Sequence, residues 1–434
     1  MKICTNEIFF VSLHAFWYMA NKRKIINDPV FGFLSIPNEL IYDVLQHPYV
    51  QRLNRIRQLG LSYLVYPGAM HSRFGHSLGA MHLMHEAISS LRLKGVDITE
   101  HEETSAMIAI LLHDIGHGPF SHVLEHTLVE GVTHEEISLL MMQRINLDLH
   151  GQLDTAIAIF KNEYPKHFLH QLISSQLDVD RMDYLCRDSF FTGVQEGRVA
   201  SERLLKMLDV RNDKLVVQVK GIYSVEKFLV ARRLMYWQVY LHKTSVAAEQ
   251  HLIKILSRAK ELARNNHQSP ITNNQSDLFC SPALRYFLYQ PVTMEMFAPQ
   301  SEALDQYALL DDNDVLSAIK AWIASDDKVL SALSESFIHR RLFRGELIEA
   351  PLTDAQKKEL NTLYANALGI NEEDASYLWC EHISTSNTYS EKADTIDILY
   401  SDGTVRDIAQ ASEILDLEAL TRKPIKRYLF KYRL

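Results

Sequence analysis

A mainly α-helical fold ending in a small α+β region is what the sequence predicts, and three observations predict it. Apolar residues recur at spacings of three and four through most of the chain. Only short stretches alternate apolar with polar as a strand would. From about residue 385 the pattern changes to brief runs, Thr395-Ile396-Asp397-Ile398-Leu399-Tyr400 and Arg427-Tyr428-Leu429-Phe430, around a Ser401-Asp402-Gly403-Thr404 turn. At 434 residues there is enough chain for a large core and for two or three domains. A net charge of −9 makes general nucleic-acid coating a poor fit and leaves room for a local basic pocket. Cys4, Cys186, Cys280 and Cys380 are far apart, which argues against a disulfide framework or a zinc ribbon and for a reducing compartment.

Taken in order, residues 1–23 read as an N-terminal extension. Asn6 and Glu7 interrupt its basic start, His14 breaks its apolar run, it has no clear cleavage pattern, and a polar restart follows Met19. Residues 24–40 read as a strand-and-turn entry. A helix is expected over 38–60, where Ile41, Val44, Leu45, Val50, Leu53, Ile56 and Leu59 recur, ended by Gly60. Tyr63 to Gly68 reads as a short extended piece. Helices are then expected from about Ser72, over 102–114, from Thr133 (where Thr133 to Glu136 has the form of a cap) and over 166–190. Asp213 to Val219 alternates as a strand, and 223–263 is one long helical stretch or two. Residues 265–277 are the best candidate for a flexible loop, 278–384 a helical accessory region, and 385–434 the small α+β region. No run of 18 apolar residues offers a spanning helix, so no membrane partner is expected and the expected location is cytoplasmic.

The chemistry gathers at Leu111-Leu112-His113-Asp114-Ile115-Gly116-His117-Gly118-Pro119-Phe120-Ser121-His122. The apolar run Ala106 to Leu112 predicts a buried helix that carries His113 and Asp114 into the core. Neighbouring residues project about 100° apart on a helix, so both can face one ion. A buried charge without a partner is expensive, and a metal ion is a ready partner. His76 and Asp180, on separate predicted helices, complete a set of two imidazoles and two carboxylates. That set suits Mg, Mn, Fe, Zn, Ni or Co without choosing among them.

The H…HD…D order resembles the HD-domain phosphohydrolases, and further motifs narrow the resemblance. Gln58-Leu59-Gly60, Tyr66-Pro67-Gly68-Ala69, His71-Ser72-Arg73-Phe74-Gly75-His76-Ser77-Leu78-Gly79, the stretch from His113 to His122, His134-Glu135 and Asp178-Val179-Asp180-Arg181-Met182-Asp183-Tyr184 look like the deoxynucleoside triphosphate triphosphohydrolases. These include the bacterial dGTPases and the animal enzyme with a SAM domain. The resemblance covers roughly residues 25–260 and makes 24–264 an HD phosphohydrolase core.

The resemblance implies a divalent metal held by His76, His113, Asp114 and Asp180, a nucleotide substrate, and a homo-oligomer (dimer or tetramer). It implies that Arg73, Arg181, Arg232 and Lys243 hold a triphosphate, with Arg181 where the animal enzyme commonly has Lys. Tyr184 and Asp188 would contact sugar or phosphate, Tyr240 would pack on the deoxyribose and exclude a 2′-hydroxyl, and Gln58 and Leu59 would lie near the 3′-hydroxyl and base. Spacing is consistent: Arg73 and His76 share a helix face, as do Asp180, Asp183, Tyr184, Arg187 and Asp188, and Arg232, Tyr236, Tyr240 and Lys243. His122, oriented by Glu125 at i+3, would donate a proton to the leaving 5′-oxygen or position the attacking water, while His117 and His134 would bind phosphate oxygens or help in proton transfer. The expected reaction releases intact triphosphate from a deoxynucleoside triphosphate, dGTP being one candidate. Asn54, Gln46 and Leu241 depart from the animal enzyme's pattern, which puts guanine-nucleotide activation and base or sugar selectivity in doubt. The competing readings are an HD phosphohydrolase for another nucleotide or phosphate ester, and a nucleotide-binding regulatory protein without turnover.

Overall fold

The computed structural model describes residues 24–120, 127, 129, 131–268, 277–385, 395–414 and 425–434. The expected N-terminal extension and most of the expected loop at 265–277 lie outside these residues. The chain enters as a hairpin, β1 (Ile25–Asp28) against β2 (Gly32–Ser35), with Asp28 opposite Gly32. Asp28 Oδ1 accepts from the amides of Val30 and Phe31 at 2.9 Å each, a side-chain turn of the kind Asp favours. Gly32 closes the turn with φ +79°, which costs a residue without a Cβ little.

The helix expected over 38–60 is shorter. Helix α1 (Glu39–Gln46) stops at His47, because Pro48 has no N–H to continue it. A short turn at Pro48–Gln51 and a 3-10 turn at Arg52–Arg55 follow. Tyr63 to Gly68 is not extended either: Ser62–Leu64 winds as a 3-10 turn, and Tyr66 N bonds back to Ser62 O at 2.8 Å. Local backbone bonds take the place of strand pairing there, and among the described residues no strand pairs with this segment.

Helix α2 (Arg73–Leu93) is N-capped by Ser72, and α3 (Glu100–Leu112) starts at a Thr99/Glu102 capping box. Residues Ala106 to Leu112 are all buried, each large side chain contributing roughly 1.5–3 kcal/mol by leaving water. Then come α4 (His134–Asp148), opened by a Thr133/Glu136 capping box, and α5 (Asp154–Phe160). The single helix expected over 166–190 is two, α6 (His167–Ile173) and α7 (Val179–Thr192). Asp178 divides them, accepting from Arg181 N at 2.7 Å and Ser175 N at 2.8 Å and so starting a new helix. Helix α2 packs against both α3 and α7. The three bring the ligand-type residues to one place.

Beyond lie α8 (Ser201–Met207), β3 (Leu208–Arg211), β4 (Lys214–Gln218), α9 (Ile222–Met235), a π-helical turn at Tyr236–Tyr240 and the long α10 (Lys243–Gln268). The accessory region supplies α11 (Pro282–Tyr289), α12 (Glu302–Leu309), α13 (Asp312–Trp322), α14 (Lys328–Ile338), β5 (Arg344–Leu347), α15 (Asp354–Leu368) and β6 (Trp379–Thr385). Strands β7 (Asp397–Leu399), β8 (Val405–Asp407) and β9 (Ile425–Lys431) close the chain. They complete sheets begun earlier instead of folding only on themselves. β7 pairs in parallel with β4 in a sheet ordered β3-β4-β7-β8, and β9 lies between β5 and β6. Among the described residues, no helix is long and apolar enough to cross a membrane.

Candidate active site

His76 sits on the first turn of α2, fully buried, and His113 is the C-cap of α3. The helix thus ends one residue before the pair, yet His113 keeps helical angles (φ −56°, ψ −37°), so the two side chains still face one centre. Asp180 enters from the first turn of α7. Ligand-type atoms of His76, His113 and Asp114 lie within 4.8 Å of one another, and Asp180 Oδ1 lies 3.1 Å from His76 Nε2 and 3.4 Å from His113 Nε2.

Hydrogen bonds fix which imidazole nitrogens face inward. His76 Nδ1 is 2.7 Å from Asp183 Oδ2, and His113 Nδ1 is 2.6 Å from Ile110 O. Both partners only accept, so each Nδ1–H donates and each Nε2 is the nitrogen turned toward the carboxylates, where it offers a lone pair once its proton is displaced. Both Nε2 atoms are buried and make no aligned hydrogen bond among the described residues. Two inward lone pairs beside two carboxylates fit a divalent cation.

Protons on the imidazoles stand in for a cation, supplying the positive charge that the site calls for. Burial opposes charge on His76, but the Asp180 and Asp183 carboxylates outweigh it and push its pKa up to about 10. Burial likewise opposes ionisation of Asp114 and Asp180. The imidazoles around them, with Arg73 beside Asp114, hold both carboxylates below the usual range. His117 goes the other way: burial, then Arg73, take it down to about 3, so it is neutral at ordinary pH. Its ring stacks on His134 with centroids 3.9 Å apart. His117, His134 and Asp114 form a second group whose ligand-type atoms converge within 4.8 Å, a grouping the sequence did not reveal.

Arg73 reaches Asp114 Oδ2 at 2.5 Å. Arg181 is held by Ser175 O (2.7 Å) and Asp178 Oδ2 (3.1 Å), and Arg232 donates to Gln176 Oε1 at 3.1 Å. Both guanidinium groups act on the Tyr184 hydroxyl. Tyr184 and Tyr240 meet edge-on at 5.9 Å. Tyr240 donates to Asp188 Oδ2 at 2.7 Å, and the other Asp188 oxygen meets His71 Nε2 at 2.8 Å. Gln58 lies beside His71, its amide bonded to His71 O, with Leu59 half-buried next to it.

Lys243 departs from expectation. The π-helical turn at Tyr236–Tyr240 breaks the regular spacing from Arg232, so Lys243 begins a new helix instead of sharing the face. It lines a groove of about 820 Å³ with Arg340, Arg344, Lys431 and Arg433, and none of the other candidate residues lines that groove. His122 and Glu125 lie outside the described residues. Asp183 and His71, which hold site residues in place, were assigned no role from sequence although both fall within the motifs.

The 3-10 turn at Arg52 and the accessory helices α12 and α13 together hold the turn after Asp114. Arg52 Nη1 donates to Ile115 O (3.3 Å) and His117 O (2.9 Å), Tyr307 OH donates to Gly116 O (2.9 Å), and Asp312 Oδ1 accepts from Phe120 N (3.0 Å). A Cβ on Gly116 would come 2.2 Å from His134 O and 2.3 Å from Ser138 N, so the turn packs directly on α4.

Comparison with known proteins agrees with this geometry. The HD domain family profile matches residues 73–188, and the HD associated region profile matches 199–281. The chain is 54% identical to a structurally determined phosphohydrolase from Bacteroides thetaiotaomicron, with a TM-score of 0.90 over 95% of this chain and 100% of that one. It is 32% identical to the uncharacterized protein YwfO of Bacillus subtilis over 91% of this chain and 89% of the relative. It is 30% identical to the deoxynucleoside triphosphate triphosphohydrolase SAMHD1 homolog of Dictyostelium discoideum, over 56% of this chain and about half (51%) of that protein.

Proposed function

Because the chain belongs to the HD-domain phosphohydrolases, we propose that it cleaves deoxynucleoside triphosphates to deoxynucleoside and intact triphosphate. His76, His113, Asp114 and Asp180 would hold the divalent metal. The observation that carries the reading is the inward-facing imidazole and carboxylate cluster, with Arg73 against Asp114 and with the charges of Arg181, Arg232 and Asp180 all felt at the Tyr184 hydroxyl. A phosphate monoester needs one or two cationic partners. Arg73, Arg181 and Arg232 together would suit the nearly four negative charges of a nucleoside triphosphate.

When bound, the metal would supply Lewis-acid polarisation of a phosphoryl oxygen and a lowered pKa for water. Arg73, Arg181 and Arg232 would clamp the triphosphate in line. Neutral His117, with His134 stacked on it, would hydrogen-bond a phosphate oxygen without adding charge. Water oxygen would attack the α-phosphorus and the bond from phosphorus to the 5′-oxygen would break, so that the deoxynucleoside leaves with its 5′-oxygen protonated and the triphosphate carries the water oxygen. The proton for the 5′-oxygen is assigned to His122 and its orientation to Glu125 on their spacing alone. Tyr240, fixed by Asp188, would pack on the sugar, with Gln58 and Leu59 toward the 3′-hydroxyl and base.

Incubation with each dNTP and NTP in Mg²⁺, Mn²⁺, Fe²⁺ or Co²⁺, followed by anion-exchange separation, tests this. Deoxynucleoside plus triphosphate is the expected outcome. Diphosphate or monophosphate products would contradict it.

A further inference from the structure

We propose that Asp183, Arg187 and Asp28 form a buried positioning chain that aims His76 at the metal, making the N-terminal hairpin part of the metal centre. The inference rests on the metal site proposed above. The chain starts at Asp183 Oδ2, which takes the Nδ1–H of His76 at 2.7 Å. The same carboxylate is gripped by the Arg187 fork, Nε to Oδ2 and Nη2 to Oδ1, both at 2.9 Å. The remaining arm, Nη1, reaches Asp28 Oδ2 at 2.7 Å, across 159 positions of sequence.

All of this is out of water. The side chains of His76, Asp183 and Arg187 are at most 1% exposed, and that of Asp28 is 5% exposed. Buried ions are costly, and well-packed apolar residues usually serve stability as well or better. The arrangement is therefore better explained by what its end touches. A carboxylate held by two parallel bonds cannot swing, so the imidazole it receives is fixed in ring plane and in tautomer, with Nε2 toward Asp114 and Asp180. Gly79, three residues on from His76, shows how close the fit is. A Cβ there would come 1.9 Å from Asp183 Oδ1 and 2.2 Å from Arg187 Nη2, so α2 approaches the chain only because this residue is glycine.

Asp28 divides its work between its two oxygens, which gives a clean test. Oδ1 serves the hairpin amides of Val30 and Phe31, and Oδ2 serves Arg187. Asp28→Asn keeps the first acceptor and removes the charge facing Arg187. Arg187→Lys keeps the charge and removes the fork. Mn²⁺ binding to the metal-stripped full chain is measured by calorimetry, alongside the melting curve of the metal-free protein. The expected result is affinity reduced about tenfold in Asp28→Asn and by roughly 10- to 100-fold in Arg187→Lys, with both still folded. Should Arg187→Lys fail to fold, Asp28→Asn decides alone. Unchanged Mn²⁺ affinity in the folded variants would overturn the positioning role and leave the metal centre standing. A wild-type chain that takes up no Mn²⁺ would overturn the metal centre and this chain of residues with it.

Discussion

Tyr240, which the proposed function sets against the sugar, is fixed by its neighbours. Its hydroxyl donates to Asp188 Oδ2, and Asp188 is held on its other oxygen by His71, whose ring stacks on Phe191 at 4.4 Å. If it packs on the sugar as proposed, a ring anchored through two buried partners would not move aside for an extra hydroxyl. Tyr240→Ala should therefore raise ribonucleotide turnover relative to deoxyribonucleotide turnover by on the order of tenfold, whereas Tyr240→Phe, which keeps the ring, should retain most of the discrimination. Matched kcat/KM values for dGTP and GTP check this; an unaltered ratio in Tyr240→Ala would show that the ring is not the barrier. That His76, His113, Asp114 and Asp180 come together was legible in the sequence because their types and order are restrictive. His71 and Asp183 lay inside the same motifs but had no readable role, since a positioning residue is defined by what stands opposite it. Asp28 gave no signal: its partner Arg187 is on another element, brought near by folding alone.

Elements were read well where caps were present and poorly where periodicity ran on across a break. Phe168, Leu169, Leu172 and Ile173 keep a helical pattern that Val179, Met182 and Leu185 continue, which concealed the start of α7 at Asp178. The π-helical turn concealed the displacement of Lys243 in the same way. Helix α10 carries a testable feature of its own. His251 is fully buried, stacked on Phe343 at 4.4 Å and donating from Nε2 to Leu333 O at 3.0 Å, which ties α10 to α14. Burial takes its pKa down to about 3. The unfolded chain, with an ordinary value near 6.5, binds a proton that the folded chain refuses. Its contribution to stability is therefore complete above about pH 6.5 and is lost as pH falls toward 3, by up to about 1.4 kcal/mol per pH unit. Urea unfolding at pH 7, 6 and 5 should show His251→Phe losing less stability than the wild type on acidification; parallel curves would contradict this.

At the scale of the molecule, the accessory region is joined to the chemistry. Arg52 and Tyr307 hold the carbonyls of residues 115–117, and Asp312 holds the amides of Phe120 and Arg57. The turn that carries His117 thus depends on helices nearly 200 residues later. Phe120 needs that support, because its φ of +54° is strained for a bulky residue. The final strands behave likewise, β7 joining β4 and β9 joining β5 and β6. Their strand character was visible in the alternating runs. Their partners were not, because alternation specifies which face is buried and leaves the neighbour unspecified. The proposed function places the attack at the α-phosphorus, and the fate of water oxygen reads that directly. Turnover of a dNTP in ¹⁸O-water, with the products resolved by mass spectrometry, should place one label in the triphosphate and none in the deoxynucleoside. Label in the deoxynucleoside, or in a released mono- or diphosphate, would contradict the account.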